Sequence, residues 1–376
     1  MRITGYRSLM TRKEWGRPIG DINGVLTTGI TEVPVLVLES DTGQQGIGLG
    51  PHPAIEQVFP AVEGQDPRGV TALYDAMLAH VFKAGHAGAV FGAIGVLDMA
   101  LWDLKAKAAD EPLWRTLGAS SRAVPAYASG LDAGLDAAGL AALYGQFGEA
   151  GFTIAKLKGG HNVAADLYRF DVVEEVLRGV TDSDPVFLLD VNENWNAKQA
   201  VRYLSKLEER RDIAWIEEPV RRWDATGLAT VSRSVRAAVA TGENLSGLEQ
   251  FRPLVTAGAA DVIQTGSCWG ITHFLRVAGL ALAFDLLVSP VAYHGNPLAS
   301  AAAALPNCLP IEVQDLHDPA GLQVDQHLAD GQVILGNAPG LGISLDEDAL
   351  RPAAASWAQD VGPHVRPRRA GNRLDI

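Results

Sequence analysis

A closed parallel α/β barrel preceded by a small α+β domain is the fold this sequence predicts. Three observations carry it. From Val124 onward, short apolar runs alternate with helical segments: VPAYASG, TIAKLK, VFLLDVN, IAWIEEP, AVATGEN, ADVIQTG, LLVSPVA and LPIEVQ. Eight such runs favour a closed barrel over an open sheet, because a short apolar run between helices reads as a strand buried on both faces. The acids Asp190, Glu217 and Glu243 each end one of these runs, 27 and 26 residues apart, about one strand–helix–strand unit. The first 123 residues lack this alternation altogether.

In that first part, VPVLVLESDTGQQGIGLG reads as two strands joined by a tight turn at Asp41-Thr42-Gly43. The stretch AIGVLDMALWDLKAKAA then places Ile94, Leu97, Leu101 and Leu104 on one helical face. A sheet followed by helices defines an α+β domain over residues 1–123. The barrel follows over 124–330, with helix patterns such as VAADLYRFDVVEEVLRG and AKQAVRYLSKLEER between its strands. The segment 331–376, with GQVILGNAPGLGI, has no barrel period and is expected to return to the small domain.

A parallel barrel brings its strand ends to one rim, where enzymes of this architecture keep their chemistry. Three carboxylates on one rim repel, by roughly 1–4 kcal/mol per pair at about 4 Å. A hard dication reverses that cost, and oxygen ligands suit Mg²⁺. A single acid at a strand end also serves to start a loop or cap the next helix. Three in one phase, with Lys156-Leu157-Lys158 ending TIAKLK in the same phase, favour a site.

The bulk properties narrow the function further. With 376 residues, two domains are the natural expectation, and 47% apolar residues supply a large core. The net charge of −13 argues against nucleic acid, whose binding needs a basic stripe. A small anionic substrate remains compatible, because a metal and two lysines make one rim locally positive. Cys268 and Cys308 are the only cysteines, so there is no disulfide framework, and a reducing, cytoplasmic setting is expected. MRITGYRSLM lacks a secretory apolar core, and no stretch reaches the roughly 20 apolar residues that span a bilayer. The Arg-rich HVRPRRAGNR is short enough to be only a tail or a local contact. An α/β-hydrolase is excluded by the absence of a G-x-S-x-G elbow.

Taken together, these residues resemble the enolase superfamily in its mandelate racemase-like branch, over nearly the whole chain. The helix AIGVLDMALWDLKAKAADEPLWRTLG and the strand pair ending VLESDTGQQGIGLG resemble the family's first domain. In the barrel, Lys156-x-Lys158, Asp190, Glu217 in IEEP and Glu243 in GEN match the family pattern in type, order and spacing. His294 in SPVAYHG follows the seventh run and Glu312 in PIEVQ the eighth, as in that branch. The sixth run departs from the pattern. QTGSCWGIT offers Thr265, Gly266 and Ser267, with neither the branch's usual Asp nor a second lysine.

The resemblance implies a modified TIM barrel, (β/α)7β, capped by the N-terminal domain, which the C-terminal segment completes. It implies removal of a proton alpha to a carboxylate through an enediolate, with Mg²⁺ held by Asp190, Glu217 and Glu243. Lys156 would contact the substrate carboxylate. Lys158 would be the base, its pKa lowered toward neutrality by nearby cations. His294 would be an acid/base on the opposite face, with a pKa at or below about 6.5 for want of its carboxylate partner. A protonated Glu312 would hydrogen-bond the enediolate, and Glu218 would orient Lys156 or Asn192. Substrate contacts are expected from Asn192 and from a lid at residues 12–27 with Arg12, Lys13, Trp15 and Arg17. The turn at Gly50-Pro51-His52 and His86 are further candidates, His52 among them as a substrate-binding residue. The expected partners are a small carboxylate substrate and further copies of the chain in a homo-oligomer. The expected reaction is dehydration of an acid sugar to a 2-keto-3-deoxy acid. The alternatives are a racemase or epimerase, and a catalytically silent barrel kept for binding.

Overall fold

The computed structural model describes residues 1–181, 183–292 and 294–353. Strand β1 (Ile3–Glu14) leads into a short hairpin of β2 (Ile19–Asp21) and β3 (Gly24–Leu26). The chain then returns along β4 (Ile30–Ser40), antiparallel to β1 over its whole length, and turns into β5 (Gln45–Leu49). The expected turn at Asp41-Thr42-Gly43 is present, with Gly43 at φ 80°. The helix Gly88–Ala108 lies directly on β5. Gly46 and Gly48 make this contact possible, since a Cβ there would sit 2.2 Å from the Ala100 carbonyl oxygen and 2.1 Å from that of Val96.

That helix differs from the one-faced pattern expected of it. Every residue from Phe91 to Leu104 is buried. The reason is its position between two layers: β5 covers one side and the barrel's residues 268–272 the other. A Cβ at Gly95 would sit 2.3 Å from the Cys268 carbonyl oxygen. The buried Asp98 carboxylate accepts from the Thr272 N–H (2.7 Å) and hydroxyl (2.5 Å), capping the helix Ile271–Leu282.

Strands β6 (Ala123–Ser129), β7 (Ile154–Lys158), β8 (Val186–Asp190), β9 (Trp215–Glu217), β10 (Ala238–Thr241), β11 (Val262–Gly266) and β12 (Leu287–Val291) pair in parallel, in that order. β13 (Ile311–Val313) pairs in parallel with β6. Val288 closes the remaining seam: its N–H reaches the Asn307 carbonyl (2.9 Å) and its carbonyl accepts from Leu309 (2.8 Å). All eight predicted runs are therefore barrel strands. The intervening helices start on local signals, as at Asn196, whose side chain and Gln199 form a reciprocal capping box.

No α-helix is described after β13, only a 3₁₀ turn at Glu347–Ala349. Strand β14 (Leu322–Val324), the hairpin β15 (Gln326–Ala329)–β16 (Gln332–Leu335), β17 (Ile343–Leu345) and β18 (Arg351–Pro352) follow instead. β14 pairs with β17, and Leu322 and Ile343 pack on Leu9, Val35, Val37, Ile47 and Leu49 of the first sheet. β18 adds to that sheet beside β1. The return expected from residue 331 thus takes another course at first. β16 pairs antiparallel with residues 123–125 of β6, and contact with the first sheet begins earlier, where Asp315 pairs with Lys13 of β1. The physical reason is an open edge, since β13 covers β6 only from Ala126 onward and β16 fills what is left. The Arg-rich HVRPRRAGNR lies outside the described residues. Among the described residues no helix is long and apolar enough to cross a membrane.

Candidate active site

The parallel register sets Lys158 beside Asp190, Asp190 beside Glu217, and Glu217 beside Ala240. Three strand ends so deliver a lysine and two acids to one row of the rim, with Glu243 three residues beyond Ala240. The loops turn sharply there. Asn192, Glu193 and Glu218 take positive φ of 43°, 59° and 45°, a conformation costly for these residues. They are braced by backbone bonds from Glu193 N–H to Glu218 O (2.7 Å) and from Glu218 N–H to Ala240 O (2.9 Å).

The side chains form one buried network. Lys158 Nζ lies 2.5 Å from Asp190 Oδ2. Lys156 Nζ lies 2.6 Å from Glu217 Oε1, 2.8 Å from Glu312 Oε1 and 3.6 Å from Asp190 Oδ2. Asp190 and Glu217 are wholly shielded from solvent, and Lys156, Lys158 and Glu312 nearly so. Burial pushes the Glu217 carboxyl up to about 8, and the nearby Asp190, Glu243 and Glu312 add to the rise against the pull of Lys156. Burial and then Asp190 push half-buried Glu243 up to about 7. Burial also raises Glu218, helped by Glu243 and Glu193. This is a pocket with more acid than its two lysines can balance.

One expectation about charge is corrected here, at Glu312. Burial works against the Lys158 ammonium, but Asp190 outweighs it and raises the pKa, whereas the lowering expected of Lys158 presupposes a dication on that carboxylate. Burial likewise opposes charge on Glu312, but Lys156 and Lys158 prevail, so this carboxyl is held below its usual range and is ionised. Its Oε2 accepts from the Ala292 N–H and from Gln314, both at 3.0 Å. Glu218 Oε1 accepts from Asn244 Nδ2 (3.0 Å).

Among the described residues, no three His, Cys, Asp or Glu side chains are gathered closely enough to enclose a metal ion. Lysine ammoniums hold Asp190 and Glu217. The donor set nevertheless suits a hard dication. It is all carboxylate, it is buried, and Glu217 Oε2 has no hydrogen-bond partner.

The lid residues reach the rim at several points. Asn23 Nδ2 donates to the Asn192 carbonyl (3.2 Å), and Gly20 N–H to the Leu131 carbonyl (2.8 Å). Lys13, buried, pairs with Asp315 (2.5 Å) and reaches the His317 carbonyl (2.5 Å). Trp15 is buried, with its indole N–H on Thr31 (3.0 Å). The Arg17 guanidinium lies 5.5 Å from the Trp15 ring, and its Nη2 is buried without a partner. Arg12 faces solvent beside Glu14. His86 meets the Leu78 carbonyl (3.1 Å), beside Glu249.

His294 lines a cavity of about 370 Å³ with Trp15, Asn296, Gln314, Asp315 and His317. Its ring centroid is 5.7 Å from that of Trp15. Burial, and after it the charge of Lys13, push its pKa down to about 4 against the pull of Asp315. His52 is not a rim residue. It has no solvent exposure, and its ring nitrogens meet the Gly50 carbonyl (2.8 Å) and the Ser8 hydroxyl (3.0 Å). It ties the end of β5 to β1, which removes it from the substrate-binding set. The strand-end hydroxyls Thr265 and Ser267, where the sixth-strand acid is absent, are buried without partners.

Asn23, Asp132 and Asp315 are contact makers that the sequence reading passed over. The Asn-Gly pair at 23–24 is a hairpin signal. Asp132 and Asp315 follow the first and eighth strands at short range, as Asp190 and its fellows end theirs.

Residues 33–118 match the family description "Mandelate racemase / muconate lactonizing enzyme, N-terminal domain", and residues 139–349 match "Enolase C-terminal domain-like". A capped barrel with lysines and acids on its strand-end rim is thus an enolase-type architecture, and the chain belongs to the mandelate racemase/muconate lactonizing enzyme family. It is 32% identical to a 3,6-anhydro-alpha-L-galactonate cycloisomerase of Streptomyces coelicolor over 76% of this chain and 79% of that protein. It is 30% identical to the L-talarate/galactarate dehydratase of Salmonella typhimurium, over 88% of this chain and 84% of that protein. Its fold is similar to that of a racemase from Streptomyces coelicolor solved with bound magnesium. There the TM-score is 0.83 at 29% identity, over 92% of this chain and 98% of that one.

Proposed function

We propose that this protein is a Mg²⁺-dependent lyase that dehydrates an acid sugar to a 2-keto-3-deoxy acid. The observation that carries this reading is the register row Lys158–Asp190–Glu217, buried on one rim beneath the lid. Relatives named as an acid-sugar dehydratase and a cycloisomerase, and a fold neighbour holding magnesium, support it. The reading takes residues 1–123 as the capping domain and 124–330 as the catalytic barrel. It also places the protein in the cytoplasm as a homo-oligomer.

Asp190, Glu217 and Glu243 are the residues that would hold Mg²⁺, which would supply Lewis-acid polarisation of the substrate carboxylate. Lys156, between Glu217 and Glu312, is placed to hydrogen-bond that carboxylate. Lys158 takes the alpha proton on Nζ as the neutral amine, so its ammonium must first give up a proton and its pair with Asp190 be loosened, a change that Mg²⁺ on Asp190 would favour. His294 is the second acid/base. With a pKa near 4 its ring is neutral at pH 7 and offers an N–H to the departing hydroxyl rather than a full positive charge. Arg17, whose Nη2 lacks a partner, is the lid group suited to a second carboxylate on the substrate. Trp15 lines the cavity beside His294, and the Asn192 carbonyl holds Asn23 of the lid.

A second reading, isomerisation through the same enediolate, is favoured by the cycloisomerase relative at 32% identity. One assay separates the two. A library of mono- and diacid sugars is incubated with enzyme and Mg²⁺, then treated with semicarbazide. A dehydration product absorbs, and an isomer without a new ketone does not. Lys158→Ala should lose both turnover and exchange of the alpha proton in D₂O. A variant that exchanges at the wild-type rate would remove Lys158 from the mechanism.

A further inference from the structure

Strand β6 ends at Ser129, level with Lys156, so the end of β7 has no neighbouring strand on that side. A backbone N–H left bare in a buried place is rare, because its lost hydration is not replaced. Here a side chain takes the place of the strand. The Asp132 carboxylate accepts from the Lys158 amide N–H (Oδ1, 3.0 Å), from Arg169 Nη2 (Oδ1, 2.9 Å) and from the Tyr144 hydroxyl (Oδ2, 2.7 Å). The same hydroxyl lies 2.6 Å from the Lys156 carbonyl oxygen, so its proton is available to either acceptor. Asp132 and Tyr144 have no solvent exposure. Between them they hold the two backbone groups that face the missing strand, one on each rim lysine. The loop that carries Asp132 is itself fixed, with Arg169 donating to the Leu135 and Asp132 carbonyls (both 3.0 Å) and Gly20 of the lid to Leu131 (2.8 Å).

We propose that Asp132 is a positioning residue for proton abstraction. Its carboxylate fixes the Lys158 backbone at the end of β7, and with it the origin from which the ammonium reaches into the site. This rests on Lys158 being the proton-abstracting group. Asp132 acts through the amide, so its effect falls on the chemical step more than on substrate capture. A purely structural role would run through the ion pair with Arg169 instead, and three variants separate the two. Asp132→Ala removes both interactions. Asp132→Asn keeps an acceptor for the amide and gives up the charge. Arg169→Gln keeps the carboxylate and gives up the pair.

The primary measurement is hydrogen exchange of the Lys158 amide in the intact protein. Exchange should quicken about tenfold or more in Asp132→Ala and stay within about threefold of wild type in the other two, as a lost supporting contact predicts. With Mg²⁺ and galactarate as probe, kcat should fall about 100-fold in Asp132→Ala at little-changed KM, and Asp132→Asn should recover most of it. An amide in Asp132→Ala as protected as in the wild type overturns the proposal. So does an Asn variant that falls with Ala, since the ion pair would then be what matters. Should Asp132→Ala not fold, the other two variants decide, because loss of amide protection in either overturns the proposal. A Lys158→Ala variant with wild-type proton exchange overturns the functional reading itself. That outcome is told apart because the amide pattern still follows the expectation.

Discussion

At the scale of single residues, burial decides what each titratable group can do. His52 is fully enclosed, and burial pushes its pKa down to about 4, against the hydrogen bond its ring makes to the Gly50 carbonyl. Its folded pKa lies below the unfolded value, so its contribution to stability is present above about pH 6.5 and is lost as pH falls toward 4. A shift of this size corresponds to on the order of 3 kcal/mol. The melting temperature of His52→Gln should accordingly vary less between pH 6.5 and 4 than that of wild type. Equal slopes in a pH series of thermal melts would show that the imidazole is not the group responsible. Glu217 is the corresponding test on the rim. Its Oε2 is buried and unpartnered. Glu217→Gln should therefore lose Mg²⁺ affinity, and calorimetry that finds the affinity unchanged would refute its assignment as a ligand.

At the scale of elements, close backbone approach and one buried ion pair hold the cap in place. β5 meets the helix Gly88–Ala108 through Gly46 and Gly48, where a Cβ would fall 2.2 Å and 2.1 Å from helix carbonyl oxygens. Gly48→Ala should destabilise the protein by roughly 1–3 kcal/mol through overpacking, read as a lower urea midpoint at constant m. The lid is latched by Lys13 on Asp315 and the His317 carbonyl, with side-chain exposures of 2% and 19% for the pair. Breaking a buried pair costs roughly 3–5 kcal/mol, and less here because Asp315 keeps some water. Lys13→Met should speed amide exchange across residues 12–27 while leaving the barrel strands protected. Uniform change across the chain would mean that the pair supports the whole fold and not the lid.

At the scale of the whole molecule, the barrel concentrates negative charge in one buried place. Glu217 and Glu243 rise to about 8 and about 7 for this reason. A ligand bound only by the folded state stabilises it by mass action, about 2.7 kcal/mol at a hundredfold excess over Kd. Mg²⁺ should raise the melting temperature of wild type, and a chelator should reverse the rise. A Glu217→Gln protein that melts higher with Mg²⁺ to the same extent would place the ion elsewhere.

The sequence by itself determined the eight strands, their order and the acids at their ends. Strand runs are local apolar patterns, and a residue ending a parallel barrel strand has only one rim to occupy. Asp190, Glu217 and Lys158 were legible for that reason. The family resemblance extended this reading to the capped architecture. What the tertiary structure alone decided is who meets whom across long sequence distances. It enclosed His52 between β5 and β1, although a histidine beside a Gly-Pro turn reads as exposed. It buried the helix Gly88–Ala108 on all sides, because two layers and not one pack against it. It gave Lys158 to Asp190 and Lys156 to Glu217 and Glu312, and the Asp190 pair raises the Lys158 pKa. Charge in a buried site depends on the distances between groups that local sequence leaves free, and only the closed barrel sets those distances.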